Sequence, residues 1–125
     1  MVKLVLHSAT AINPNSQATG TPFRYDSGVD LANAMGALQI VTNCNVGTGT
    51  ESIRFYAEGS DDGTTWYPQP IMYASGVGEW IRYRNVTADF TGTVGYVVPQ
   101  AEYTRVRVKN SGANAATVTV RAWGQ

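Results

Sequence analysis

The chain has 125 residues and a mass of 13.4 kDa, a size that suits one domain and allows a buried core without disulfides. Hydrophobic residues make up 43% of the chain, which excludes a disordered protein, while charged residues make up only 14%, against about 25% in an average soluble domain. Nine basic residues balance nine acidic residues, and this neutrality argues against nucleic-acid binding by phosphate neutralisation. No apolar run approaches the roughly 18 residues of a membrane span, so no membrane partner is expected.

Alternation of apolar and polar residues predicts about eight short antiparallel strands and no helix. The strands are expected over residues 2–7, 37–46, 52–58, 66–72, 79–86, 93–98, 103–109 and 117–123. In strand 52–58 the apolar face carries Ile53, Phe55 and Ala57. Pro68 and Pro70 restrict strand 66–72 to an edge or bulged position. Short strands with turn signals between them are typical of an all-β sandwich, here of jelly-roll type.

Turn and loop composition divides the single domain into two parts. Residues 8–36 are poor in large apolar side chains and are interpreted as an extended arm, so residues 1–36 form an N-terminal strand and arm and residues 37–125 the sandwich body. Gly63 suits the tight hairpin after Asp61 and Asp62 because glycine adopts a positive φ. A similar hairpin is expected at 110–114, between the last two strands.

No sequence motif indicates an enzyme. His7 stands in the first strand without a nucleophile or acid near it in sequence, and is interpreted as structural or surface-exposed. Cys44, the one cysteine, is in phase with Leu38 and Ile40 and is interpreted as a small core residue. Asp61 and its neighbour Asp62 suit a turn better than a calcium site. We therefore expect no catalysis, no metal and no cofactor.

A row of basic and aromatic side chains is the strongest candidate for a binding surface. Alternate residues of strand 103–109 are basic or aromatic on one face and apolar on the other. The adjoining strand is expected to extend this face, and strand 79–86 to carry a second row. The candidate residues are Tyr103, Arg105, Arg107, Lys109, Arg121, Trp123, Trp80, Arg82 and Arg84. The alternative is a solvated sheet face whose arginine stems cover apolar surface.

The order of short motifs between Gly20 and Trp123 resembles that of small β-sandwich proteins in the head modules of tailed bacteriophages. The matching motifs are Thr19–Thr21, Val29–Leu31, Leu38–Thr42, Gly47–Thr50, Ser60–Trp66, Tyr103–Val108 and Ala116–Trp123. The resemblance implies a capsid decoration, or cement, protein. Such a protein is a non-enzymatic homo-oligomer, often a trimer, that binds the outside of an icosahedral head and bridges subunits of the major capsid protein.

The expected location is the exterior of a virion assembled in a host cytoplasm, because Met1–His7 lacks the features of a signal peptide. In this interpretation the arm 8–36 crosses subunit boundaries. Two alternatives stay open. One is a carbohydrate-binding or discoidin-like module, to whose closing half Ser60–Trp66 and Tyr103–Val108 are similar. Its sugar-stacking candidates are Trp66, Tyr67, Trp80 and Trp123. The other alternative is an adaptor of a phage tail or baseplate.

Overall fold

The structure is a computed structural model that describes residues 2–24, 38–46, 52–73, 80–98 and 101–124. These residues form strands joined by turns and bends, without a helix among them. The strands are β1 (Val2–Ile12), β2 (Ser16–Ala18), β3 (Phe23–Arg24), β4 (Leu38–Asn45), β5 (Ile53–Ser60), β6 (Tyr67–Gln69), β7 (Ile71–Tyr73), β8 (Trp80–Ile81), β9 (Arg84–Val86), β10 (Phe90–Val97), β11 (Tyr103–Asn110) and β12 (Ala116–Gly124). In the part of the chain described, no helix is long and apolar enough to cross a membrane.

Two antiparallel sheets pack face to face and confirm the predicted β-sandwich. Sheet A has the order β1-β12-β4-β10-β7-β8. Sheet B has the order β2-β11-β5-β6, with β3 also paired to β11 and β9 to β5. Successive strands lie in opposite sheets, except within the pairs β2–β3, β5–β6 and β7–β8. This alternation gives the predicted jelly-roll arrangement.

The described residues form twelve strands rather than the expected eight, because two expected strands are each divided and because β2 and β3 lie in the segment interpreted as an arm. Expected strand 66–72 becomes β6 at the edge of sheet B and β7 in sheet A, with Pro70 between them. Proline lacks the N–H that would continue a ladder, so the chain changes sheets there. Expected strand 79–86 is likewise divided at Arg82 and Tyr83 into β8 of sheet A and β9 of sheet B.

The described part of the interpreted arm lies within the sandwich rather than outside it. Residues 8–12 extend β1 along β12, and β2 and β3 both pair with β11. Ile12 and Phe23 are buried in the core and attach an otherwise polar segment to the body. Because Ile12 and Phe23 are far apart in sequence, they form no alternating pattern that would predict a strand. Residues 25–36, and the expected domain boundary at 36/37, lie outside the described residues.

The core lies between the sheets and follows the predicted alternation. Ile53, Phe55 and Ala57 of β5 point inward and are buried, while Arg54 and Tyr56 on the other face are partly exposed. Three strands of sheet A and one of sheet B supply most of the other buried side chains. They include Ile40, Cys44, Val94, Val97, Val106, Val108, Val118 and Val120.

The connection from β11 to β12 crosses between the sheets and is not the expected hairpin. Asn110, at the end of β11, is fully buried, and its Nδ2 donates to the carbonyls of Ile12 and Asn114. Its Oδ1 accepts from the backbone N–H of Gly112. These bonds satisfy the polar groups of the crossing chain inside the fold. As a result, the last two strands lie in opposite sheets.

Candidate functional site

The outward face of sheet B carries a continuous set of basic and aromatic side chains around one carboxylate. The register of β5 against β11 places Arg105 opposite Glu58, Arg107 opposite Tyr56, and Lys109 opposite Arg54. The hairpin after β5 adds Trp66, and the segment before β9 adds Tyr83. We call this surface the arginine face, defined by Arg54, Tyr56, Glu58, Trp66, Tyr83, Arg105, Arg107 and Lys109.

Glu58 holds the two central arginines in place. Its Oε1 accepts a hydrogen bond from Nε of Arg105 at 2.8 Å, and its Oε2 accepts one from Nε of Arg107 at 3.2 Å. The Glu58 side chain is largely buried under the guanidinium groups. Ion pairs of this kind are stronger than those in open solvent, because the carboxylate is screened less by water.

Aromatic rings support three of the guanidinium groups from one side. The Arg105 guanidinium carbon lies 4.1 Å from the centre of the Trp66 ring, and that of Arg107 lies 4.1 Å from the centre of Tyr56. The Tyr56 ring packs against Tyr83 with 5.4 Å between centres, and Tyr83 in turn lies 4.7 Å from the Arg54 guanidinium carbon. Each contact is a cation–π or ring–ring attraction that fixes a long side chain in one orientation.

The arginine face concentrates positive charge on a chain with no net charge. Arg105 and Arg107 contact the Glu58 carboxylate, Arg54 and Lys109 lie further along the same two strands, and exposed Arg82 lies beside Arg107. A shallow depression next to Arg107 is lined by Tyr56, Ala57, Glu58, Pro68, Arg82 and Arg107. Nη1 of Arg107 also donates to Oε1 of Gln17 on β2 at 2.9 Å, which connects the face to the edge of the sheet.

The structure brings together only some of the residues in the predicted row. Arg105, Arg107 and Lys109 lie on the arginine face, and Arg82 lies at its rim. The Tyr103 ring lies at the end of the row, over Gly63 of the hairpin turn. Whether these residues bind a partner stays a prediction.

Four predicted members of the row lie elsewhere. Arg121 and Trp123 are on β12, which pairs with β1 and β4 in sheet A, so they do not extend the row. Trp80 is in β8 of sheet A, whereas Arg84 is in β9 of sheet B, opposite Phe55. The expected second row is therefore wrong, because its strand is divided between the two sheets.

Sequence reasoning missed the residues that orient the row. The alternation in strand 52–58 predicts that Glu58, Tyr56 and Arg54 lie on its polar face, but it does not predict their pairing with strand 103–109. An acidic residue among outward positions of one strand, with arginines on another, is the signal that would suggest such a pair.

The remaining titratable candidates have structural environments. His7 is only 3% exposed, and its Nε2 lies 2.6 Å from the carbonyl oxygen of Val106. Burial lowers the pKa of His7 more than this bond raises it. Cys44 is buried as predicted, and burial, with a smaller contribution from Asp89, raises its pKa to about 11.

The Asp61–Asp62 pair serves the β5–β6 turn. Asp62 Oδ1 accepts hydrogen bonds from the backbone N–H groups of Thr64 and Thr65 and from the Ser60 hydroxyl. These bonds, that from Thr65 first, hold the pKa of Asp62 well below its usual range. Gly63 has a φ of 80°, as the predicted turn requires. Within the described ranges, no group of three acidic, histidine or cysteine residues is placed to hold a metal ion.

Comparisons with known proteins identify similar folds. No protein-family model matches the chain, and no curated protein matches it. The crystal structure of the PBSX exported protein XepA is similar with a TM-score of 0.64 and 14% sequence identity, over 98% of this chain and 36% of XepA. The chain therefore spans about a third of the XepA chain. The SPBc2 prophage-derived protein YomS aligns with a TM-score of 0.49 and 12% identity, over 97% of this chain and 90% of YomS.

Both neighbours are phage-derived proteins. At these identities the similarity to XepA shows a shared sandwich fold, which agrees with the architecture described above. Function depends on the residues that a fold presents rather than on the fold alone.

Proposed function

We propose that this protein is a non-enzymatic structural component of a tailed-phage particle. In this proposal it decorates the exterior of the capsid and stabilises it by bridging subunits of the major capsid protein. The observation that carries the proposal is the arginine face, a rigid set of cations on a chain without net charge. Arginine and aromatic residues are enriched at the energetic centres of protein–protein interfaces.

Two further observations support the proposal. The motif order between Gly20 and Trp123 resembles that of tailed-phage head proteins, and XepA, a phage-derived protein, shares the fold. A bridging protein needs a rigid body with an attachment surface. Among the described residues, the arginine face is such a surface, because its guanidinium groups are held by Glu58 and by aromatic rings.

Co-sedimentation with virus-like heads, expanded and unexpanded, tests this function. We expect saturable binding to expanded heads, at a ratio to the major capsid protein that identifies the lattice sites. Sedimentation velocity of the free protein should show a homo-oligomer, with a trimer expected. Absence of binding to both forms of the head would contradict the proposal.

A carbohydrate-binding module is the second candidate, favoured by one observation at the β5–β6 hairpin. Tyr67 is 39% exposed, and its hydroxyl lies 3.3 Å from Oδ1 of Asp61. An exposed ring beside a carboxylate is a common way to stack and hydrogen-bond a sugar. Trp66 is less suitable, because Arg105 covers one face of its ring. Binding on a glycan array that is lost in Tyr67→Ala would favour this candidate.

A further inference from the structure

We infer that the arginine face binds an extended acidic segment of a partner protein, with carboxylates at alternate positions. The inference rests on the proposed function in taking the same face as the attachment surface. It goes further by naming the chemistry that this face recognises. Four features of the described residues carry it: the free edges of the guanidinium groups, the covered rings, the spacing of the arginines and the local charge.

The internal contacts of the two arginines leave outward hydrogen-bond donors. Glu58 accepts only from the Nε atoms of Arg105 and Arg107. Among the described residues, neither terminal nitrogen of Arg105 has a hydrogen-bond partner, and Arg107 uses only Nη1, toward Gln17. A guanidinium has five N–H donors, so both arginines retain donors for an external acceptor. The ion pair with Glu58 orients these donors before any ligand binds.

The aromatic rings favour recognition of carboxylates over stacking. Trp66 and Tyr56 each have one face covered by a guanidinium group at 4.1 Å, and the Tyr56 ring also packs against Tyr83. Rings used in this way offer less surface for a nucleic-acid base or a sugar. What the face presents instead is planar guanidinium edges, which match carboxylates in two-point hydrogen bonds.

The spacing of the arginines fits an extended acidic segment. Arg105 and Arg107 are alternate residues of β11 on one face, so their backbone positions are about 6.5–7 Å apart. Alternate side chains of another extended segment have the same spacing. The depression between Arg107 and Arg82, over Pro68 and Tyr56, gives one acidic side chain a place to enter.

The positive charge of the arginine face also favours an acidic partner. Arg54, Arg82, Arg105, Arg107 and Lys109 lie on or beside the face, and Glu58 is the one acidic member of the set that defines it. A surface of this charge attracts an acidic segment and repels a basic one, and the attraction weakens as salt screens it.

Fluorescence anisotropy of the full chain with short labelled peptides tests the inference. The probes are a ten-residue peptide of alternating threonine and glutamate, the same peptide with glutamine in place of glutamate, and a ten-nucleotide oligothymidylate. We expect the glutamate peptide to bind at least tenfold more tightly than the other two probes. Its affinity should fall at least fivefold between 50 and 300 mM salt.

Matched variants locate the binding. Arg105→Gln with Arg107→Gln should weaken binding of the glutamate peptide at least tenfold, whereas Arg121→Gln on sheet A should change it less than twofold. Because the double variant removes the partners of Glu58, Arg105→Lys provides a milder test that keeps the charge. It should weaken binding about threefold, since lysine lacks the planar donors. Circular dichroism verifies the fold of each variant.

Three results would overturn the inference: equal affinity for the glutamate and glutamine peptides, tighter binding of the oligothymidylate, or an equal loss in Arg121→Gln. The outcomes are separable from those of the head-binding experiment. Binding to heads without binding to the peptide overturns the acidic-segment inference and leaves the proposed function standing. Binding to the peptide without binding to heads does the reverse.

Discussion

His7 of sheet A donates from Nε2 to the backbone carbonyl of Val106 in sheet B, 2.6 Å away. Val106 lies between the residues of β11 that pair with β2 and those that pair with β3. The imidazole therefore connects the two sheets where the edge of β11 has no strand partner among the described residues. Since a carbonyl only accepts, the bond requires a proton on Nε2, and burial favours the neutral ring.

The stability of the protein should fall on mild acidification because of His7. Burial lowers the pKa of His7 below its ordinary value of 6.5, so the unfolded chain takes up a proton at a higher pH than the folded one. The stability contribution of the neutral ring is complete above about pH 6.5 and is lost as the pH falls toward the lower folded pKa. Urea unfolding at pH 7.5 and pH 5.5 should show this loss, and His7→Gln should reduce it. An unchanged pH dependence in His7→Gln would contradict this account.

Gly20 should not tolerate a side chain, because it packs directly on His7. Its φ is 73°, and a Cβ atom there would overlap the imidazole ring. Gly20→Ala should therefore lower the free energy of unfolding by about 1–3 kcal/mol. Gly112→Ala is the matched control, since the φ of Gly112 is not positive. Equal effects of the two substitutions in chemical denaturation would argue against the contact between Gly20 and His7.

Removal of the Glu58 charge should destabilise the arginine face. Glu58→Gln leaves two partly buried guanidinium groups without their shared carboxylate, and hydrogen bonds to charged groups contribute about 1.5–3 kcal/mol. We expect a loss of stability in this range. Asp61→Asn, on an exposed residue of the β5–β6 turn, should have a smaller effect. A Glu58→Gln variant as stable as the unmodified protein would mean that the ion pairs do not stabilise the fold.

The β5–β6 turn should weaken only in strong acid. Backbone N–H groups and the Ser60 hydroxyl hold the pKa of Asp62 well below its ordinary value of 3.8. The ionised carboxylate therefore contributes stability above about pH 3.8, and this contribution is lost as the pH falls toward the folded pKa. Amide hydrogen exchange of Thr64 and Thr65 should accelerate below pH 3.8 beyond the intrinsic pH effect. The same acceleration should be present in Asp62→Ala at neutral pH, because alanine has no side-chain oxygen to accept these bonds. Slow exchange in Asp62→Ala would contradict the role of this carboxylate.

Local patterns predicted the parts of the fold that depend on neighbouring residues. Alternation in strand 52–58 correctly placed Phe55 inside and Tyr56 outside, and the turn residues correctly placed Gly63 at a positive φ. Cys44 was predicted as a core residue from its phase with Ile40. Each of these depends on the two-residue period of a strand or on the φ preference of one residue.

Pairing between distant strands was not predictable in the same way. The expected hairpin between the last two strands would place Arg121 near Arg107. The chain instead crosses to the other sheet after buried Asn110, so the two arginines lie in different sheets. The ion pairs of Glu58 with Arg105 and Arg107 join residues nearly 50 positions apart in sequence. They depend on the register of β5 against β11. Register of this kind is set by the packing of whole strands rather than by a local motif.

The most direct test of the account compares head binding by matched variants. Arg105→Gln with Arg107→Gln alters the arginine face, whereas Arg121→Gln alters a similar charge on sheet A. In co-sedimentation with expanded heads, we expect the double variant to lose at least tenfold in affinity and Arg121→Gln to bind like the unmodified protein. Undiminished binding by a folded double variant would contradict the claim that the arginine face attaches this protein to a capsid.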